Sequence, residues 1–144
     1  MTEIRFVVRG TAVPQGSTRA FVIKDVLTGL TRAVTTNKTK ALSAWRTAIA
    51  QEARTASVMT NTLATFQLLE GALEVECHFA FMPVKSRKKQ GTSHFQRPDI
   101  DKLLRAVLDA CTGVIWHDDA QVMRISGTKE YKDPPMCEVI IRTC

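Results

Sequence analysis

What this chain lacks narrows what it can do. Its four cysteines, Cys77, Cys111, Cys137 and Cys144, form no C-x-x-C pair, the spacing that a redox motif or paired-cysteine zinc site would show. Cys77 and Cys111 sit in apolar-periodic segments and read as small buried hydrophobes. Free thiols and a cytoplasmic, reducing setting are expected. His78 beside Cys77 does not make a zinc pair, because adjacent strand residues face opposite sides and no second ligand pair is suitably spaced. No stretch approaches the ~18 apolar residues of a membrane span. The N-terminus has no apolar signal core, so neither export nor membrane insertion is expected. No internal repeat, low-complexity domain, Ser-His-Asp triad or Cys-His nucleophile is evident.

What is present suits a soluble nucleic-acid-binding fold. A length of 144 residues points to one domain, residues 1–144. Hydrophobic content of 44% with 24% charged residues is enough for a sizeable core. The net charge of +6 favours an anionic partner, nucleic acid first. Its distribution sharpens the point: eight of the 14 acids lie at or after Asp99, so the first 98 residues carry the surplus positive charge. A basic body beside an acidic pocket is what a metal-dependent nuclease needs.

Along the chain, residues 3–9 alternate as a strand, with Ile4, Phe6 and Val8 inward. Residues 10–17 read as a turn-rich loop and 19–23 as a second strand. Residues 24–38 form a hairpin or a mobile loop. A helix over 38–58 would bury Leu42, Trp45, Ile49, Ala53 and Ala56, with Trp45 in the core rather than stacking on a base. Residues 59–70 suggest a break. Leu73, Val75, Cys77, Phe79 and Phe81 mark one face of a strand whose other face carries Glu74, Glu76 and His78. Residues 83–98 hold Lys85, Arg87, Lys88, Lys89 and Arg97 and no acid, and read as an arm lying along DNA phosphates. Residues 121–131 and 136–143 are expected to be strands, joined by a turn at Asp133, Pro134 and Pro135.

The stretch 97–122 carries the chemistry. Pro98 and Asp99 mark a helix start, with Asp99 as N-cap. Ile100, Leu104, Val107, Leu108 and Cys111 make an apolar stripe. Asp101, Arg105 and Asp109 share another face at i, i+4 and i+8, where charges meet. Gly113 ends the helix. Asp99 and Asp101, if both lie in an extended lead-in, converge on one side. Asp118 and Asp119 follow where the chain can return beside the helix start. Alone, Asp99 is an ordinary cap and Asp118–Asp119 an ordinary turn; together they suggest hard oxygen ligands for Mg2+.

The run Arg-Pro-Asp-Ile-Asp-Lys-Leu-Leu-Arg-Ala-Val-Leu-Asp-Ala, followed by Trp-His-Asp-Asp-Ala-Gln-Val, resembles the RusA family of Holliday-junction resolvases. These are small dimeric Mg2+-dependent endonucleases common in prophages. The resemblance places Asp99 and Asp101 on the first two catalytic aspartates of the family and Asp119 on the third, with Asp118 beside it as a further ligand or supporting carboxylate. Arg105 occupies the position of a functionally important lysine, and Lys102 stands where the family has Asn. Arg105 keeps the positive charge but changes its geometry.

Both lines imply an α+β fold, a mixed and largely antiparallel sheet covered by two main helices. The resemblance further implies Mg2+-dependent phosphodiester hydrolysis on branched DNA by a homodimer. Catalysis would rest on Asp99, Asp101, Asp119 and Arg105, metal binding on Asp99, Asp101, Asp119 and Asp118, and DNA contact on Lys85, Arg87, Lys88, Lys89, Arg97 and Lys102. Two alternatives stay open: a non-catalytic DNA-binding protein of the same fold, and a Mg2+-dependent nuclease acting on other branched DNA or on RNA.

Overall fold

The computed structural model describes residues 1–16, 19–24, 27–36, 39–60, 67–85 and 91–144. The order of elements is β1 (Glu3–Arg9), β2 (Arg19–Lys24), β3 (Thr31–Thr36), α1 (Thr39–Thr60), β4 (Leu73–Phe81), α2 (Ile100–Cys111), β5 (Val122–Tyr131) and β6 (Met136–Thr143). β1, β6, β4 and β5 form a four-stranded sheet in that order, and β2 and β3 a separate antiparallel pair. β1–β6 and β6–β4 are antiparallel and β4–β5 is parallel. This is the α+β layout, mixed and mostly antiparallel, that the sequence implies.

The strands form where the alternation said they would. Ile4, Phe6 and Val8 of β1 are buried and their neighbours exposed. Leu73, Val75, Cys77, Phe79 and Phe81 of β4 are buried, while Glu74, Glu76 and His78 occupy the opposite face. The inward side chains meet Trp45, Ile49 and Ala53 of α1 and Leu103, Ala106 and Val107 of α2 in one hydrophobic core. Trp45 is a core residue, only 5% exposed. The turn at Asp133–Pro135 joins β5 to β6. Within the expected hairpin or loop over 24–38, Thr31–Thr36 pairs antiparallel with β2, while residues 25, 26, 37 and 38 lie outside the described residues. Residues 61–66, part of the expected break, lie outside the described residues.

Parallel neighbours cannot be joined by a tight turn. The connection from β4 to β5 therefore crosses over, and α2 is the crossover helix. α2 packs on β5 so closely that a Cβ on Gly127 would meet Leu104 Cδ2 at 3.0 Å and Ile100 Cδ1 at 3.2 Å. Its other flank rests on α1. Contact on two flanks widens the apolar arc beyond the stripe expected from spacing. Leu103, Ala106, Val107, Ala110 and Cys111 are buried, and Ile100, Leu104 and Leu108 are half-buried against the core. Gly113, at φ 77°, turns the chain just past the helix end.

Candidate active site

The approach to α2 is fastened residue by residue. Ser93 bridges to Glu130 on β5, and Tyr131 N donates to Thr92 O at 2.8 Å. His94 is buried with its ring 4.7 Å from that of Phe81 and 4.4 Å from that of Tyr131. Tyr131 Oη donates to Gln96 Oε1 at 2.8 Å. Lys129 Nζ donates to Gln96 O and to Pro98 O, each at 2.7 Å. Burial lowers the Lys129 pKa, and the nearby negative charge of Asp99 works against that shift. The segment arrives at α2 through a cis Arg97–Pro98 bond.

Asp99 stands at the N-cap position with extended backbone (φ −70°, ψ 138°), but its side chain makes no capping hydrogen bond. This corrects the expectation of a side-chain cap. The contact at the helix start is made by the Asp99 carbonyl, which accepts from Leu103 N at 3.2 Å. The carboxylate is turned outward, with Lys102 Nζ 3.6 Å from Oδ2. Asp101 lies inside the first turn of α2 and is exposed. The D-x-D therefore straddles the helix start rather than lying in an extended lead-in. Both carboxylates still sit at the end of α2 where unpaired N–H groups favour negative charge.

Arg105 is exposed one turn further on. Among the described residues no ion pair within 4 Å joins it to Asp101 or Asp109, so the expected meeting of charges along that face is not made. Asp109 instead lines a groove of about 530 Å3 between α2 and α1, with Arg46 and Leu42.

The second acidic pair lies at the other end of the helix. Asp119 Oδ1 accepts from Trp116 Nε1 at 3.0 Å and from Thr112 Oγ1. Trp116 is fully buried and Thr112 is the C-cap of α2. Burial, with Cys77 and then Asp119 nearby, pushes the Cys111 thiol pKa up. Asp118 caps the 3-10 turn Asp119–Gln121, its Oδ1 accepting from Ala120 N at 2.8 Å. Gln121 closes the box: its Oε1 accepts from His117 N at 2.8 Å and Asp118 N at 3.1 Å. Its Nε2 donates to Leu69 O at 2.9 Å and Gly71 O at 3.1 Å, tying the turn to the approach of β4.

The sequence led us to expect Asp118 and Asp119 beside the helix start; the chain does not return there. At 1.5 Å per residue, α2 sets its C-cap Thr112, the residue that donates to Asp119, about 20 Å from its N-cap Asp99. Among the described residues no three His, Cys, Asp or Glu side chains group to hold a metal ion. Lys85 and Arg97 are exposed, while Arg87, Lys88 and Lys89 lie outside the described residues. Sequence reasoning missed the mounting residues Thr112, Trp116, Gln121 and Lys129. Trp116 and Gln121 stand within the Trp-His-Asp-Asp-Ala-Gln-Val run itself; Lys129 had no local signal, because its partners are 31 and 33 residues away.

Over residues 12–142 the chain matches the family described as Endodeoxyribonuclease RusA. The chain belongs to the RusA endodeoxyribonuclease family. The match covers most of the chain and bears out the resemblance carried by the two aspartate motifs. A stretch of 46 residues is also 39% identical to the uncharacterized protein YqaN of Bacillus subtilis (strain 168). That stretch is 32% of each protein, so the chain spans about a third of the curated relative it matches. Among the described residues no helix is long and apolar enough to cross a membrane.

Proposed function

We propose that this RusA-family chain is a Mg2+-dependent, structure-specific endodeoxyribonuclease that resolves Holliday junctions as a homodimer. The observation that carries the reading is the pair Asp99 and Asp101, exposed carboxylates at the mouth of α2 in a chain with an intact D-D-A-Q-V segment. The donor chemistry fits Mg2+, which takes hard oxygen ligands. Among the described residues of one chain, no third carboxylate groups with them.

A two-fold dimer would supply it. β5 is an edge strand of the sheet, and among the described residues outside the sheet only Ser93, near its end, pairs with it. Met123 and Ile125 on it are exposed, at 65% and 38%. An open edge with apolar side chains invites a second strand. Antiparallel pairing of two β5 edges about a two-fold axis sets the start of one beside the end of the other. The start of β5 follows Asp119; its far end carries Lys129, which holds the backbone just before Asp99. Asp119 of one copy then approaches Asp99 and Asp101 of the other.

In this reading Asp99, Asp101 and Asp119 hold the metal, and Asp118 keeps the turn that presents Asp119. The chemistry Mg2+ supplies when bound is a more acidic water and neutralised charge on the scissile phosphate. Arg105 and Lys102 place positive charge beside that phosphate. Lys85, Arg87, Lys88, Lys89 and Arg97 bind flanking phosphates.

The test is a panel of labelled four-way, flap, duplex and single-stranded DNA and of RNA, with Mg2+ and with EDTA. Preferential paired cutting of the four-way junction, abolished by EDTA, is expected; preference for RNA or flaps overturns the substrate assignment. Mixing Asp99→Asn with Asp119→Asn chains tests the shared site. Each variant alone is inactive, and the mixed dimer regains one intact site and nicks the junction. Without that gain, the site shared between two chains is overturned.

A further inference from the structure

We propose that Phe95 is a stacking platform for an unpaired nucleobase at the branch point, with Arg97 holding a phosphate of the same strand. This rests on the branched-DNA reading above. The burial of the segment alternates. Ser93, Phe95, Arg97 and Asp99 are exposed, His94 is buried, and Gln96 and Pro98 are half-buried.

Each inward residue is fastened. His94 packs between Phe81 and Tyr131, Gln96 is held by Tyr131 Oη and Lys129 Nζ, and the Pro98 carbonyl is held by the same ammonium. A loop free to move could fold an apolar ring against the core. This one is pinned on both sides of Phe95, and the ring stands 67% exposed.

The chemistry of the outward face has an order: aromatic, cation, carboxylate. An aromatic ring stacks on a base, a guanidinium contacts phosphate, and Asp99 belongs to the proposed metal site. At ~3.3 Å per residue, Phe95 is at most about 13 Å from Asp99. A base stacked on Phe95 therefore belongs to the strand whose phosphate lies at the carboxylates. In an unbroken duplex both faces of every base are covered by its neighbours, so Phe95 finds no partner. At a branch point a base leaves its neighbours at lower cost, and the ring replaces the lost stacking. Such a contact selects by structure and tolerates sequence, because every base offers a π-face.

The experiment uses a four-way junction carrying 2-aminopurine at the branch point, with full-length protein in EDTA so that binding is read without cutting. Wild type is expected to raise the fluorescence at least about twofold as the base unstacks from its neighbours. Phe95→Ala, folded by circular dichroism, is expected to lose that rise and roughly tenfold of the preference for junction over duplex. Phe95→Trp is expected to keep the preference, with the fluorescence of the stacked base quenched by the indole. The proposal is overturned if wild type gives no rise, or if Phe95→Ala keeps both the rise and the preference. It is also overturned if Phe95→Ala turns a dimer into a monomer by light scattering, which assigns the ring to a protein interface. Failure of wild type to cut any DNA with Mg2+ would overturn the nuclease reading instead, and the fluorescence would still decide the base contact.

Discussion

Lys129 Nζ lies 2.7 Å from the carbonyl oxygen of Pro98, the residue immediately before Asp99. An ammonium on the edge strand β5 thereby sets where the first carboxylate of the candidate site stands. A second bond from the same atom to Gln96 O, also 2.7 Å, makes the mount two-point.

Replacing Lys129 by Met keeps the length of the side chain and removes the donors. A hydrogen bond to a charged group contributes about 1.5–3 kcal/mol, and partial exposure places this pair at the low end. The expected outcome is a single-turnover cleavage rate about tenfold lower with junction binding within about twofold of wild type. An unchanged rate beside a lowered melting temperature would make Lys129 a structural residue only.

Asp119→Asn is expected to abolish Mg2+-dependent cutting while DNA binding persists or tightens. Asn keeps the shape that Trp116 and Thr112 hold but removes one negative charge near the phosphate. Asp99→Asn and Asp101→Asn are expected to behave alike. Asp109→Asn is the control, since Asp109 lines the α1–α2 groove. Normal cutting by folded Asp119→Asn would remove Asp119 from the chemistry.

Gln121→Ala removes four hydrogen bonds at once, two to the turn and two to the approach of β4. With each worth about 0.5–1.5 kcal/mol net and partly solvated, a loss of about 1–3 kcal/mol is expected in urea unfolding. Cleavage should fall with it, because the turn that presents Asp119 loosens. A wild-type urea midpoint would show that the turn stands without Gln121.

Arg142 holds the Glu76 carboxyl below the usual carboxylate range, with His78 adding to the effect. A folded pKa depressed below the unfolded one contributes stability above the unfolded value, and that stability disappears as pH falls through the folded value. Glu76→Gln should therefore be less stable than wild type near pH 7, and the gap should narrow toward about pH 3. Urea midpoints at the two pH values check this; a gap that widens in acid would contradict it.

Neutralising Lys85, Arg87, Lys88 and Lys89 together is expected to weaken junction binding and flatten its salt dependence. The log–log slope should fall by about 0.9 for each phosphate that these side chains no longer neutralise. Binding titrations from about 50 to about 200 mM salt are the measurement. An unchanged slope would mean that this stretch does not touch the DNA backbone.

The alternation of Ile4, Phe6 and Val8, the odd-numbered apolar residues of β4 and the stop at Gly113 were legible in the sequence, because each depends on neighbours a few residues away. So were Asp99, Asp101 and Asp119 as the acids to watch, because their spacing around a helix is a local pattern. What only the tertiary structure decided is where those acids stand. The crossover from β4 through α2 to β5 runs the strand back along the helix, so Asp119 lands at its far end and Lys129 at its near one. No periodicity encodes that, since it depends on strand order and on a parallel pairing between segments some 50 residues apart. The same holds for Phe95. Its position in the sequence is that of an ordinary loop aromatic, and only the packing of His94 and Gln96 against β5 keeps its ring in solvent.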